Sequence, residues 1–360
     1  MRESQRQPGR VVFFLQGELV PAARARGLAI IPSLQRLGLR CEARVPYPSV
    51  YGDTRLPWPL NWPRPLYMPW SFVKRFEDLA ELREDDVVVF QRPMTEFPTL
   101  MLERRAARGR RTVLDFDDSI FLTPSTERKF RALVSLADHV IAGNNYLAET
   151  AGVPGKTTVI PTVVDTDRFC EMPATNGVGK DVVVGWTGSA VGYQYLVAAA
   201  SGIARALERT GARFRVISNR PPPRALAALR PEFVKWQPQS EIGDLAAIDI
   251  GLMPLTDGRQ EKGKCAYKLI QYMALGRASV SSPVGANCEV VTSGVDGLFA
   301  SDDHAWTDHL VRLISDPALR RQMGDRARRR IVEAYSIPSV LPRYMGILKS
   351  FSSTHGGVFA

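Results

Sequence analysis

The stretch Lys262-Gly-Lys-Cys-Ala-Tyr-Lys-Leu-Ile-Gln-Tyr-Met-Ala-Leu-Gly276, followed by Arg-Ala-Ser-Val-Ser-Ser-Pro-Val-Gly285, sets out the logic of the fold in one line. A basic loop leads into a short apolar helix, a glycine stops it, a buried strand follows, and a second glycine turns the chain. A helix beginning near Ala266 puts Lys264, Lys268 and Gln271 on or beside one edge. Two ammonium groups and an amide at a helix N-terminus suit a phosphate ester.

The same alternation runs outward in both directions. Upstream lie Val11-Val-Phe-Phe-Leu15, Asp86-Val-Val-Val-Phe90, Thr112-Val-Leu-Asp-Phe116, His139-Val-Ile-Ala142 and Thr158-Val-Ile160, each separated from the next by a helical pattern. Continuous apolar strands divided by helices mean a parallel sheet covered on both faces. Pro and Gly punctuation interrupts the pattern between residues 163 and 179. It then restarts with Val182-Val-Val-Gly-Trp186, Phe214-Arg-Val-Ile217, Ile248-Asp-Ile-Gly-Leu-Met253 and Ala278-Ser-Val-Ser281. The expected architecture is therefore α/β, with two Rossmann-like doubly wound domains facing a cleft. The expected division is 1–170, 171–336, and a C-terminal helix with tail, 337–360, crossing back to the first domain.

A chain of 360 residues exceeds the usual single core, and 45% hydrophobic content supports two. Forty-seven Lys and Arg against 37 Asp and Glu give a net charge of +10, which favours anionic partners without choosing among them. The cysteines at 41, 170, 265 and 288 show neither zinc spacing nor a disulfide framework. No apolar run approaches the roughly 20 residues that span a bilayer, and the N-terminus lacks the apolar core of a signal peptide. A cytoplasmic setting is expected.

Ligands of doubly wound sheets sit beyond the carboxyl ends of the strands. In the first domain these positions are Gln16-Gly17-Glu18, Gln91-Arg92, Asp117-Asp118 and Gly143-Asn144-Asn145. In the second they are Thr187-Gly188-Ser189, Ser218-Asn219-Arg220, Pro254 and Ser282-Pro283-Val284-Gly285. Loops are polar in any protein, so each position taken alone says little. The four His residues, at 139, 304, 309 and 355, have no ligand spacing, and no metal site is expected.

One segment stands apart, running from Leu56 to Phe76 and rich in Pro, Trp, Arg and Lys. Trp58, Trp62 and Trp70 could touch an anionic membrane surface at the inner face or a lipid-linked acceptor. The plainer alternative is a loop packed on its own domain.

The second domain resembles the nucleotide-sugar-binding half of GT-B glycosyltransferases, in particular the retaining group called family four. The resemblance rests on Asp249-Ile-Gly-Leu-Met-Pro254, Lys268-Leu-Ile-Gln-Tyr-Met-Ala-Leu-Gly276, Ser282-Pro-Val-Gly-Ala-Asn-Cys-Glu-Val-Val291 and Gly294-Val-Asp-Gly-Leu298. In the first domain Ala137-Asp-His-Val-Ile-Ala-Gly-Asn144 and Val159-Ile-Pro-Thr-Val-Val-Asp-Thr-Asp-Arg-Phe169 look like the last strand and exit segment of that group.

That likeness implies transfer of a glycosyl group from a nucleotide sugar, acting as co-substrate, to a glycan, lipid-linked or small-molecule acceptor, with no separate cofactor and no nucleic-acid partner. The family usually carries two Glu residues where this chain has Gly263 and Gln271. Gln271 can keep a ribose contact by hydrogen bonding, and Glu261 is the nearest substitute for the other. Relatives also place cations after the first strand of this domain, and Gly185-Trp-Thr-Gly-Ser-Ala-Val-Gly192 has none. Lys264 and Lys268, with Arg220, then become the expected diphosphate grip, aided by backbone donors at Gly188 and Ser189. Pro254, Gly285 and Asn287 complete the expected donor site, and Asp118 is expected to orient the acceptor.

Two rival readings remain open at this stage. Asp115-Phe-Asp-Asp-Ser119 resembles the nucleophile loop of haloacid-dehalogenase-type phosphatases, with Asp115 as the phosphorylated residue. The absence of both carboxylates also suits a catalytically degenerate nucleotide- or nucleic-acid-binding protein.

Overall fold

In the computed structural model, which describes residues 9–46, 64–95, 97–170 and 177–352, the apolar runs become strands of two parallel sheets. β1 (Val11–Phe14), β2 (Cys41–Arg44), β3 (Val87–Gln91), β4 (Arg111–Phe116), β5 (His139–Ala142) and β6 (Thr157–Val159) form the first. Their order is β2-β1-β3-β4-β5-β6, with every pairing parallel. β7 (Val183–Thr187), β8 (Arg213–Ser218), β9 (Glu232–Lys235), β10 (Ile250–Met253), β11 (Ala278–Ser281) and β12 (Leu298–Phe299) form the second. Its order is β12-β11-β10-β7-β8-β9, again all parallel.

Inner strands β1, β3, β7, β10 and β11 are buried at every position. Helices cover both faces, so neither face can be polar and the sequence reads as an unbroken apolar run. Edge strands differ. β2 and β9 carry Glu42, Arg44, Glu232 and Lys235 and stay partly exposed, as edges that must not pair with another chain do.

The chain divides into two compact units, one comprising residues 1–162 and 340–360, the other Val163–Ser339. The helix Ile337–Ser352 therefore starts in the second unit and completes the first. Within the first unit Val340, Tyr344, Ile347 and Leu348 are buried, and Arg343 Nη1 donates to the Val159 carbonyl at 2.8 Å. Tyr344 Oη donates to Asp115 Oδ2 at 3.0 Å. Asp115 Oδ1 also accepts from Arg26 Nε at 2.8 Å and pairs with Nη2 at 2.6 Å, while Arg26 Nη1 reaches the Ile160 carbonyl at 2.9 Å.

Asp115 and Arg26 are each 1% exposed, so the carboxylate is a structural pin joining β4, the π-helical turn Arg24–Leu28 and the terminal helix. A phosphoryl-accepting nucleophile must meet its substrate, and this one is sealed and occupied. The phosphatase reading of Asp115 fails on that geometry.

In the second unit one face of the sheet packs Trp186, Leu196, Ile203, Phe214, Trp306 and Leu310 into a common core. The other face packs Leu269, Ile270, Tyr272, Met273 and Ile331. Helices Asp303–Ser315 and Pro317–Ala334 begin at Asp302 and Asp316, whose carboxylates accept from the Ala305 and Leu319 amides, each at 2.9 Å. Those caps satisfy helix-end donors that would otherwise be orphaned.

Candidate functional site

β7 stands where the strand order of the second sheet reverses, with β8 on one side and β10 on the other. The crevice beyond the carboxyl ends at such a reversal is where doubly wound sheets bind ligands. The helix Tyr267–Ala274 closes one side of it, anchored by Leu269, Ile270, Tyr272 and Met273 in the core. Tyr272 Oη accepts from the Thr187 amide at 2.8 Å, tying the helix to the end of β7.

The helix begins one residue later than its sequence pattern indicates. Ala266 sits before it at φ 52°, in the left-handed region, and no side chain caps the first turn. That conformation costs an L-residue about 1–2 kcal/mol. Lys264 consequently lies in the preceding loop and not on the helix edge.

Lys268 is the residue the site is built around. Its Nζ lies 5.3 Å from the centroid of the Trp186 ring, close enough for a cation–π attraction. The stem passes over Gly188, where an added Cβ would stand 2.8 Å from Lys268 Cε, so a side chain at 188 would displace the lysine. Burial, reinforced by the Lys264 ammonium, pushes Lys268 down to about 8. Lys264 Nζ in turn lies 5.9 Å from the Tyr195 ring centroid. Among the described residues no carboxylate pairs with Lys268, so an arriving anion would relieve a cation held at electrostatic cost.

Gln271 is 3% exposed, and its Nε2 donates to Glu241 Oε1 at 3.3 Å. The same oxygen accepts from Trp236 Nε1 at 3.1 Å. Glu241 is a functional candidate that sequence reading missed. It opens a six-residue helix, Glu241–Ala246, thirty positions upstream of Gln271, and only the fold brings the two together. Its one sequence signal was a carboxylate five residues after the Trp236 loop.

Glu261, the nearest substitute for a carboxylate at 263, is 8% exposed and accepts from Tyr195 Oη at 2.5 Å. It is engaged in holding Tyr195 beneath Lys264.

Other expected contacts fall differently. The Gly188 amide donates to the Ile217 carbonyl at 3.0 Å and is spent within the sheet, so it is no phosphate donor. The Ala190 amide donates to Asn219 Oδ1 at 2.9 Å. Ser189 and Arg220 are exposed at the crevice, and the Arg220 carbonyl is fixed by Tyr193 Oη at 2.5 Å. Asn287 is buried, its Nδ2 donating to the Ser282 carbonyl at 2.9 Å while its Oδ1 has no hydrogen-bond partner. Pro254 is buried after β10. Gly285 adopts φ 54°, where a Cβ would come within 2.8 Å of the Lys262 backbone, so glycine lets the two loops meet.

At the strand ends of the first unit, Asp118 Oδ1 accepts the Ser119 amide at 2.9 Å, and Oδ2 lies 3.7 Å from Arg92 Nη2. Arg92 is held more tightly by Asp117, at 2.9 Å from Nε and 2.6 Å from Nη2. Among the described residues no three His, Cys, Asp or Glu side chains converge as a metal site, and no helix is long and apolar enough to cross a membrane.

Residues 181–316 match the family described as Glycosyl transferases group 1. Across the whole chain the fold is that of GT-B glycosyltransferases. Anabaena HepE in complex with UDP and glucose superposes with a TM-score of 0.64 at 14% identity, over 96% of this chain and 100% of that one. The sucrose-phosphate synthase of Thermosynechococcus elongatus gives 0.68 at 14% identity, over 97% and 100%. A glycosyltransferase from Rickettsia africae gives 0.67 at 12% identity, over 97% and 100%. No curated protein matches the chain.

Proposed function

We propose that the protein is a glycosyltransferase that moves a sugar from a nucleotide-sugar donor to an acceptor hydroxyl with retention at the anomeric carbon, in the synthesis of a glycan or glycolipid. The observation that carries this reading is Lys268, a cation with no carboxylate partner among the described residues, set over Trp186 at the switch point of a domain matching the glycosyl transferases group 1 pattern. HepE, a structural neighbour, is seen with UDP and with UDP-glucose, which supports a nucleoside diphosphate sugar as the donor class.

In the reaction the bond from the anomeric carbon to the diphosphate oxygen breaks while the acceptor oxygen bonds to that carbon on the same face. The acceptor's proton passes to the departing diphosphate oxygen, so no protein nucleophile is required. Negative charge grows on the diphosphate, and Lys268 and Lys264 offset it in a partly dry site. Gln271, braced by Glu241 and Trp236, would hold the ribose hydroxyls. Asp118 of the first unit would orient the acceptor.

A membrane-bound acceptor is supported by the helix Arg64–Ala80, on which Trp70, Val73 and Phe76 are 41%, 50% and 46% exposed. Trp58 and Trp62 lie outside the described residues. Arg105 is exposed beside this surface, its guanidinium 5.0 Å from the Phe76 ring centroid. Exposed apolar side chains with an adjacent cation suit an anionic lipid interface.

Thermal-shift measurement against UDP, GDP, ADP and CMP tests the core of this reading. One nucleotide should raise Tm strongly, and the shift should be lost in Lys268→Met. A chain indifferent to all four would overturn the donor assignment, and one stabilised by a nucleotide yet without turnover of any donor would be the degenerate binding protein instead.

A further inference from the structure

The two lysines of the crevice are held by different means. Lys268 belongs to the helix Tyr267–Ala274, which its buried residues and the Tyr272–Thr187 hydrogen bond fix against the end of β7. Lys264 lies in the loop between that helix and the four-residue helix Arg259–Lys262. A lysine in a loop samples many rotamers, so its place has to come from its neighbours.

Glu261 and Tyr195 supply that place. The Lys264 amide donates to the Glu261 carbonyl at 3.0 Å. The Glu261 carboxylate accepts from Tyr195 Oη at 2.5 Å, the length of a hydrogen bond to a charged oxygen. The ring of the same tyrosine stands 5.9 Å from Lys264 Nζ. Main chain, carboxylate, hydroxyl and ring thus close a circuit around one ammonium group. Glu261 and Tyr195 are 8% and 5% exposed, so water competes little for the bond between them. Gly258 leaves room for the second carboxylate oxygen, since a Cβ there would stand 2.4 Å from Glu261 Oε2.

The circuit also reaches the other lysine. Tyr195 lies on the helix Tyr193–Ala198, and Tyr193 packs 5.2 Å from the Trp186 ring over which Lys268 sits. One short helix therefore carries the ring facing Lys264 and supports the ring facing Lys268. An ammonium resting on a ring face is attracted without being neutralised, and remains able to meet an incoming anion. Lys264 is near enough to Lys268 for its charge to bear on the second ammonium.

We propose that Tyr195 and Glu261 are positioning residues that hold Lys264 at a set separation from Lys268, so that the pair reads two linked phosphates and discriminates against one. The assignment rests on the reading of both lysines as a diphosphate grip. Lys268, fixed by its own helix, serves a single phosphate; Lys264, placed by Glu261 and Tyr195, adds the second. The ligand class is a pyrophosphate group, whatever is esterified to it.

The test is calorimetric titration of the full chain with inorganic pyrophosphate and with inorganic phosphate. The wild type should bind pyrophosphate more tightly. Tyr195→Phe keeps the ring and loses the hydroxyl, and should weaken pyrophosphate by about tenfold, the worth of one hydrogen bond to a charged group, while leaving phosphate affinity unchanged. Glu261→Ala should do the same. Glu261→Gln, whose amide oxygen still accepts from the hydroxyl, should keep most of the wild-type preference. The proposal is overturned by a wild type that binds pyrophosphate no more tightly than phosphate, or by Tyr195→Phe retaining the full preference. It is equally overturned if Tyr195→Phe weakens both anions alike, because that marks a purely structural bond. A titration with UDP, GDP, ADP and CMP runs in parallel. A wild type that prefers pyrophosphate yet binds none of these nucleotides upholds the positioning role and counts against the nucleotide-sugar reading alone.

Discussion

Gln271 Nε2 donates to Glu241 Oε1 at 3.3 Å, so the carboxylate sought at position 271 stands on another helix and reaches the same place. Restoring the family's usual residue should therefore do harm. In Gln271→Glu two buried carboxylates would face each other, raising the pKa of the pair in the folded state. Stability should fall by about 1–3 kcal/mol at neutral pH and recover on acidification, since the folded form then binds the extra proton. The double variant Glu241→Gln, Gln271→Glu should regain most of the loss in urea titrations.

Lys268 supplies a pH signature. Its proton is lost at about 8 in the folded chain and near the ordinary 10.5 when unfolded. Between those values the unfolded state binds more protons, so the stability of the ligand-free protein should rise with pH across that window. Nucleoside diphosphate affinity should move the other way, falling as pH passes about 8. Calorimetry in buffers of different ionisation enthalpy should show proton uptake on binding above that value. Lys268→Met should remove both trends and cut turnover about a hundredfold.

Arg26 and Asp115 test how the first unit is held. Arg26→Met leaves a buried carboxylate without its partner and should cost about 3–5 kcal/mol, whereas Arg26→Met, Asp115→Leu should recover much of it. Tyr344→Phe, which removes one hydrogen bond to that carboxylate, should cost about 1 kcal/mol. Denaturant unfolding followed by two probes would show whether the losses fall on one transition.

These contrasts mark what could be read from the chain alone. Val87–Gln91 and Ala278–Ser281 were legible because inner strands of a covered parallel sheet have no polar face. Cys41–Arg44, Glu232–Lys235 and Leu298–Phe299 were not, because edge strands are short, charged or partly exposed and so resemble loops. At the site, local spacing puts Lys268 and Gln271 on one helix, where the structure has them, whereas Lys264 falls in the loop before it because the chain turns left-handed at Ala266. Glu241, the burial of Glu261 under Tyr195 and the sealing of Asp115 depend on neighbours remote in sequence, which no local pattern encodes.

Membrane contact can be decided with vesicles. Co-sedimentation with anionic liposomes at low salt should weaken severalfold in Trp70→Ala, Phe76→Ala and vanish with neutral lipid. Failure of the wild type to sediment would end that part of the reading.

The helix Ile337–Ser352 also sets an order of events during synthesis. Asp115 and Tyr344 are 229 residues apart, so the buried carboxylate of the first unit lacks one of its donors until Tyr344 has been translated. The second unit, contiguous from Val163 to Ser339, has all its strands before then. The half that is made first is thus the half that is finished last, and a nascent chain halted before Val340 would carry an incomplete first unit exposed to chaperones and proteases.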